Sequence, residues 1–375
     1  MTQELKRVFV SGMAYGAGKS GTSVYIHSVV EELCHLYKVD LLLLNDDDFP
    51  VNHNNLTIIR VPQKLASPVI NMLWHLFILP YRYNYKKYDF VFLPAANRRL
   101  FCRKLDNLVV TFHDLSQFHI PNKYDAFRTF YIKKVIPFFL RKVTKIVAIS
   151  QATKNDLMHF YGLNEKNILV SHNGFNHDNK EVSNSSTSVK ATLEHITQKP
   201  FFLYVARIEH PGKNHLNLLK AYQALPKNIT DNFDLVLAGQ TWSGSDNVFS
   251  YHSTMELKQN IHFPGFVSAH EMESLYSSAS LYIFPSLYEG FGIPLLEAMS
   301  YGVPVLCSDT PALTEVGGDA VEVFSPHDIN DIAQRIQKVI SNQSRQRELT
   351  SKGYERIADF SWKKHTEQLI TFVKS

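Results

Sequence analysis

The chain has 375 residues and a mass of 43.0 kDa, about two domains at ~100–200 residues each, so an extensive buried core is predicted. Its 45% hydrophobic and 20% charged residues, with 16 Gly and 16 Pro, exclude global disorder and collagen-like or low-complexity bias. The net charge of +4 hides a split, because residues 1–178 carry 22 basic and 14 acidic side chains and the rest carry 17 and 21. In chain order, the opening residues lack the apolar stretch and small-residue cleavage site of a signal peptide, which predicts a protein that stays inside the cell. Short apolar runs then alternate with longer amphipathic stretches, the pattern of strand-helix-strand units around a parallel sheet. Strands are predicted at Arg7–Val10, Val39–Leu44, Leu56–Val61, Phe90–Leu93, Leu108–Phe112, Lys145–Ile149 and Ile168–Ser171, and a helix over Thr22–Tyr37. A Ser/Asn/Thr/Lys-rich segment follows and gives a linker at 179–198, after which the rhythm restarts. The second set of strands is predicted at Phe201–Ala206, Asp234–Ala238, Ile261–Phe263, Leu281–Phe284 and Val303–Cys307. The fold class is therefore α/β, with two doubly wound domains, 1–178 and 199–355.

A glycine loop, Gly12-Met-Ala-Tyr-Gly16-Ala-Gly18-Lys19-Ser20-Gly21-Thr22, joins the first strand to the first helix, where backbone N–H groups are aimed at phosphate. It misses the Walker spacing by one residue. Gly16-x-Gly18-x-x-Gly21 meets the dinucleotide fingerprint in form, with Asp40 or Asp46 to Asp48 as the ribose acid, but it starts about five residues beyond the strand end. Two readings stay open beside it: a glycine loop without a ligand, and a loop covering a nucleotide held by the other domain. Asp46-Asp47-Asp48 also contains Asp-x-Asp, a pattern for divalent metals, although acidic triplets in loops are ordinarily solvated. Cys34, Cys102 and Cys307 are too dispersed for a disulfide framework or a zinc site.

The second half concentrates the chemistry. Arg207 and Lys213 flank a strand end and a Pro-Gly turn, so both reach the carboxyl edge of the sheet and suit a diphosphate. Downstream, Glu289-Gly290-Phe291-Gly292-Ile293-Pro294 leads into a helix bearing Glu297. Its glycines allow close backbone approach, and two carboxylates at this spacing suit the separate hydroxyl sets of a sugar and a ribose. In the first half, Val109-Val-Thr-Phe-His113-Asp114 puts a His-Asp pair at a strand end.

Glu289-x7-Glu297 in this loop and helix, preceded by Arg207 and Lys213, resembles the retaining GT-B glycosyltransferases of family 4 along essentially the whole chain. Val147-Ala-Ile-Ser150, His172-Asn173-Gly174, Pro264-Gly265-Phe266-Val267, Glu315-Val316-Gly317-Gly318 and Phe360-Ser361-Trp362 match as well. The resemblance implies a GT-B fold, two Rossmann-like domains facing a central cleft, with a last helix, 356–375, crossing back to the N-terminal domain. It implies transfer of a hexose from a nucleoside-diphosphate sugar to a hydroxyl with retained configuration. His113 would line the sugar pocket, Glu289 would hold the sugar hydroxyls, Glu297 the ribose, and Arg207 and Lys213 the diphosphate. Ser20 and Gly21, within Ser20-Gly21-Thr22, stand where the family has a Gly-Gly pair. Gly290, Phe291, Gly292 and Ile293 complete the donor set. No metal and no other cofactor is required on this reading.

The acceptor is read from charge. The segment Phe127–Lys145 mixes Arg128, Lys133, Lys134, Arg141 and Lys142 with aromatic and apolar residues, which suits an anionic membrane surface. No nucleic-acid recognition motif accompanies these cations. The expected enzyme is cytoplasmic, peripheral on the inner face of the plasma membrane, and builds a cell-envelope polysaccharide on a lipid-linked or glycan acceptor, with a mannosyl donor favoured. A dinucleotide-dependent oxidoreductase and a catalytically inactive sugar-nucleotide-binding module are the alternatives.

Overall fold

The computed structural model describes residues 5–18, 20–121, 123, 125–176 and 193–375. The apolar runs become parallel strands. In the first sheet β1 (Arg7–Ser11), β2 (Lys38–Leu44), β3 (Leu56–Val61), β4 (Phe90–Leu93), β5 (Leu108–Phe112), β6 (Lys145–Ala148) and β7 (Ile168–Val170) lie in the order β3-β2-β1-β4-β5-β6-β7. In the second, β8 (Phe201–Val205), β9 (Asp234–Ala238), β10 (Ile261–Gly265), β11 (Leu281–Phe284), β12 (Val305–Ser308) and β13 (Val321–Phe324) lie in the order β10-β9-β8-β11-β12-β13. Every pairing is parallel. Every residue of β4, β5, β9, β11 and β12 is buried, because helices cover both faces of a doubly wound sheet and no strand face is left for water.

Met1–Asn176 with Phe360–Ser375 form one compact unit, and His177–Asp359 form the other. Of the linker expected at 179–198, residues 179–192 lie outside the described residues. The remainder packs on the second unit: Leu193 and Ile196 are buried, and Thr197 Oγ1 donates to Asp234 Oδ2 at 2.6 Å. The last helix, Trp362–Lys374, is part of the first unit. Ser361 caps it, and it buries Trp362, His365, Thr366, Leu369 and Ile370. It packs against the first helix and β6.

Several bounds differ from the sequence expectation. The last helix begins at Trp362 rather than at 356, because Gln343–Ile357 form a separate helix of the second unit and Ser361 caps a new start. The first helix runs Gly21–Cys34 rather than to Tyr37, because Tyr37 turns in to pack edge-on against Phe90 and Lys38 already pairs with β1. Strand β12 starts at Val305 rather than Val303, since Pro304 has no N–H to give to a ladder. Strand β13 was not anticipated. Glu322 breaks its apolar run, and its charge is met by side chains from later helices: Arg335 at 2.9 Å, Lys338 at 2.6 Å and Arg345 at 2.8 Å.

The connections before β4 and before β6 share one device. Each contains a π turn, Trp74–Ile78 and Tyr131–Val135, just ahead of Pro80 and Pro137. Proline removes the N–H that an α-helix would use, and the wider turn carries the chain past it. Both segments bury one side in the same core, through Met72, Leu76 and Leu79 in the first and Tyr131, Ile132, Ile136 and Leu140 in the second.

Candidate active site

Beyond β8 the chain crosses the carboxyl edge of its sheet to reach the helix His215–Gln223. The Tyr204 hydroxyl donates to the Lys213 carbonyl at 3.0 Å, and Asn214 Nδ2 donates to the carbonyls of Pro285 at 3.0 Å and Pro326 at 2.8 Å. The Leu287 amide donates to the Gly212 carbonyl at 2.9 Å. These bonds lash the loop after β8 to the loop after β11, and two charged groups meet as a result: Lys213 Nζ donates to Glu289 Oε1 at 2.6 Å. Arg207 stays about half exposed, with its guanidinium 4.8 Å from the Trp242 ring centroid and Nη2 3.3 Å from Glu209 Oε2. Both cations therefore stand beside carboxylates, on the sheet edge where open α/β domains hold ligands.

The loop after β11 ends at Gly292, whose φ of 110° excludes most side chains, and a Cβ there would lie 2.6 Å from Leu313 Cδ2. Gly290 and Phe291 are buried just before it. Ile293 opens the helix Ile293–Ser300 with Pro294, which has no N–H, in its first turn; the Leu295 amide donates to the Gly292 carbonyl at 3.0 Å, and the positive end of the helix dipole lies at this end. Glu297 follows one turn later. Tyr276 donates to its Oε2 at 2.7 Å, and burial raises its pKa against the opposing pull of that hydrogen bond. Of the four residues expected at the donor site, Lys213 and Glu289 are thus paired, Arg207 stands beside Glu209, and Glu297 is held by Tyr276.

In the first unit, Ser20 is the N-cap of the first helix and exchanges capping bonds with Ser23, its side chain accepting from the Ser23 amide at 3.2 Å. Gly21 is the first helical residue. Across the sheet edge, His113 Nε2 lies 2.6 Å from the Pro94 carbonyl oxygen. A carbonyl only accepts, so Nε2 carries the proton and Nδ1 is left as an acceptor. Burial lowers the His113 pKa, which keeps the ring neutral. Its neighbour Asp114 accepts from the Ser116 amide at 3.0 Å and hydroxyl at 2.6 Å. Burial would push the Asp114 pKa up, but Lys123 and Ser116 outweigh it and bring it down.

On the outward side of 126–142, Lys133, Lys134, Arg141 and Lys142 are exposed together with Phe127, Phe130 and Phe138. Arg128 differs from its companions: its Nε lies 3.1 Å from Asp125 Oδ2, so its charge is matched locally.

Residues 19–179 match the sequence model described as Glycosyltransferase Family 4, and residues 186–356 match Glycosyl transferases group 1. The chain is 30% identical over 271 residues to O-antigen chain mannosyltransferase B of Escherichia coli, covering 72% of this chain and 71% of that protein. This protein is a family 4 glycosyltransferase. O-antigen chain mannosyltransferase RfbU of Salmonella typhimurium is 24% identical over 327 residues, covering 83% of this chain and 85% of that protein. The fold matches that of Anabaena HepE in complex with UDP and glucose, with a TM-score of 0.72 at 16% identity, over 99% of this chain and 100% of that one. The expected GT-B architecture is therefore the one this glycosyltransferase adopts.

Two features of the glycosyltransferase escaped sequence reasoning. Behind His113 the Tyr25 ring stands edge-on at 4.8 Å, with its hydroxyl between Thr111 Oγ1 at 2.9 Å and His365 Nε2 at 2.8 Å. His365 Nδ1 faces the His172 carbonyl at 3.0 Å and Ser171 Oγ at 2.8 Å, so the last helix supports the wall behind His113. Nothing in the spacing of Tyr25 and His365 announces that contact. The second feature is the stretch 68–82. Among the described residues no helix is long and apolar enough to cross a membrane. Ile70, Leu73, Phe77 and Tyr81 instead form an exposed stripe, repeating every three to four residues. A helical count of those positions would have exposed it.

Proposed function

We propose that this glycosyltransferase moves a mannosyl residue from a nucleoside-diphosphate mannose to a hydroxyl of a lipid-linked or polysaccharide acceptor in cell-envelope polysaccharide synthesis, with retention and without a metal. The observation that carries the reading is the meeting of Lys213, Glu289 and the half-exposed Arg207 at one sheet edge. The two relatives described above, both O-antigen mannosyltransferases by name, support the sugar and the product class.

In this mechanism the bond from the anomeric carbon to the diphosphate oxygen breaks while the acceptor oxygen attacks the same face. The acceptor proton passes to the departing phosphate oxygen. Arg207, Lys213 and the positive end of the helix dipole at Ile293 offset the charge that grows on the diphosphate, a kind of stabilisation worth about 3–4 kcal/mol per donor in comparable sites. That cationic set is the support for metal independence. Glu289, held in place by Lys213, binds hydroxyls of the transferred sugar, and Glu297 binds the ribose. On the first unit His113, fixed through Nε2, offers Nδ1 as an acceptor for a sugar hydroxyl rather than a proton to give away. Gly21 supplies an amide at the start of a helix for phosphate, beside Ser20, whose own amide is held by Ser23 Oγ at 3.3 Å.

The same reading seats the enzyme at the cytoplasmic face of an anionic membrane. The support is the pair of outward faces on 68–82 and 126–142, which expose Ile70, Leu73, Phe77, Tyr81, Phe130 and Phe138 beside Lys133, Lys134, Arg141 and Lys142. Reversing the charge at Arg141 and Lys142 together with Phe138→Ser should abolish sedimentation with anionic liposomes; unchanged binding removes the membrane from the proposal.

Transfer itself is tested with GDP, UDP, dTDP and ADP sugars. Alanine at Arg207, Lys213 or Glu289 is expected to cut kcat/KM by about 10²–10³ with the melting temperature retained. A fully active triple variant would refute the assignment.

A further inference from the structure

The loop after β5 and the helical segment 126–134 line an open cavity of about 680 Å³ whose walls include Phe118, His119, Lys123, Phe130, Lys133 and Lys134. Its frame is fixed. Phe118 stacks on Phe160 at 4.2 Å with planes 16° apart, and His119 Nε2 lies 2.9 Å from Asp156 Oδ2. Lys123 is committed, since it donates to Ser116 Oγ at 2.7 Å and its charge acts on Asp114. Lys133 and Lys134 are not. Lys133 lies 5.0 Å over the Phe118 ring, and among the described residues neither lysine has a carboxylate partner. The nearby acids are already engaged, Asp125 by Arg128, Asp156 by His119 and Asp114 by Ser116 and Lys123.

We propose that this cavity binds a phosphate or diphosphate ester carried by the acceptor. The proposal rests on the transferase reading above and names the chemistry of its acceptor. Two ammonium groups on flexible stems, neither with a carboxylate partner among the described residues, suit the spherical charge of a phosphate better than the planar fork of a carboxylate. The aromatic walls take the apolar face of the attached sugar or alkyl group. The position fits an acceptor, because Lys123 and Ser116 link the cavity to Asp114 and hence to the His113 strand end through two hydrogen bonds.

The test uses the full chain in lipid-free buffer with three soluble acceptors that share one mannoside: a neutral short alkyl glycoside, the same mannoside on an alkyl diphosphate, and the alkyl glycoside phosphorylated on a sugar hydroxyl. The wild type should favour at least one charged acceptor by about tenfold or more in kcat/KM, the scale of charge-assisted hydrogen bonds. The diphosphate arm succeeding alone identifies a lipid-type linker, and the sugar-phosphate arm alone a substituent on the glycan. Lys133→Ala with Lys134→Ala should bring the ratio to within about twofold of unity, and Lys133→Arg with Lys134→Arg should restore most of it. A ratio near one in the wild type, a ratio unmoved by the alanine pair, or a stronger response to a uronate-bearing mannoside overturns the proposal. Calorimetry with the alkyl diphosphate on the Arg207→Ala/Lys213→Ala variant separates the two readings. Binding that disappears with the alanine pair upholds the cavity even if no sugar nucleotide supports transfer, and absence of binding there overturns it.

Discussion

Tyr25 and His365 are 340 positions apart in the chain and 2.8 Å apart in the fold. His365 is almost fully buried, and loss of solvent lowers its pKa to about 4. In the unfolded chain the same ring titrates near 6.5. Between those values the unfolded state binds the extra proton, so stability is complete above about pH 6.5 and drains away as the pH falls toward 4, by up to ~1.4 kcal/mol per unit. His75 and His215, both lowered to about 3 by burial, add to the slope in the same direction. Urea midpoints measured from pH 7.5 to pH 5 should fall steadily, and His365→Gln should flatten the profile at the cost of lower stability at pH 7.5. A profile of equal slope in that variant would show that the buried ring does not titrate with unfolding. The paired cation at the edge of the second sheet is a second case of distance in sequence hiding contact in space. The positions of Lys213 and Glu289 were legible as strand-end and loop residues, but their 2.6 Å bond crosses 76 positions, and no local pattern encodes it.

The helix Ile293–Ser300 owes its start to a single glycine. At Gly292 a methyl group would meet Leu313 while forcing an L-residue to a φ of 110°, a combined strain of about 1–3 kcal/mol. Gly292→Ala should lower the melting temperature and weaken nucleoside-diphosphate binding together, because the helix start shifts with the backbone. Circular dichroism melts and calorimetric titration with GDP would check both. A stable variant with intact nucleotide affinity would separate the turn from the donor site. Interior strands were legible from composition because burial on both faces demands an unbroken apolar run. Strand β13 was not, since Glu322 is admitted only by cations on residues 13 to 23 positions later. Those cations overcome the burial that would push its pKa up and lower it to about 2.

The last helix ties the two ends of the chain into one unit. Truncation after Asp359 removes Trp362, Leu369 and Ile370 from the core of that unit and leaves the Tyr25 hydroxyl without His365. Burial of such side chains contributes roughly 1.5–3 kcal/mol each, enough to make that unit marginal. Limited proteolysis of the truncated protein should cleave within 5–176 while 193–359 remains protected. Equal protection of both would mean that the helix is an accessory. At this scale the sequence also carried the charge division, with the basic excess in the half that holds the aromatic-cationic surface and the acidic excess in the half that nonetheless presents Arg207 and Lys213.

The sequence by itself determined the alternation of strand and helix, the two doubly wound domains and the residues set at the edges of their sheets, because periodicity, glycine spacing and strand-end position are local properties. Tertiary structure alone decided which charges pair, which histidines are buried neutral and how Glu322 is tolerated in an edge strand. Those outcomes depend on side chains brought together from distant parts of the chain, where desolvation and a partner's charge fix the energy of each group.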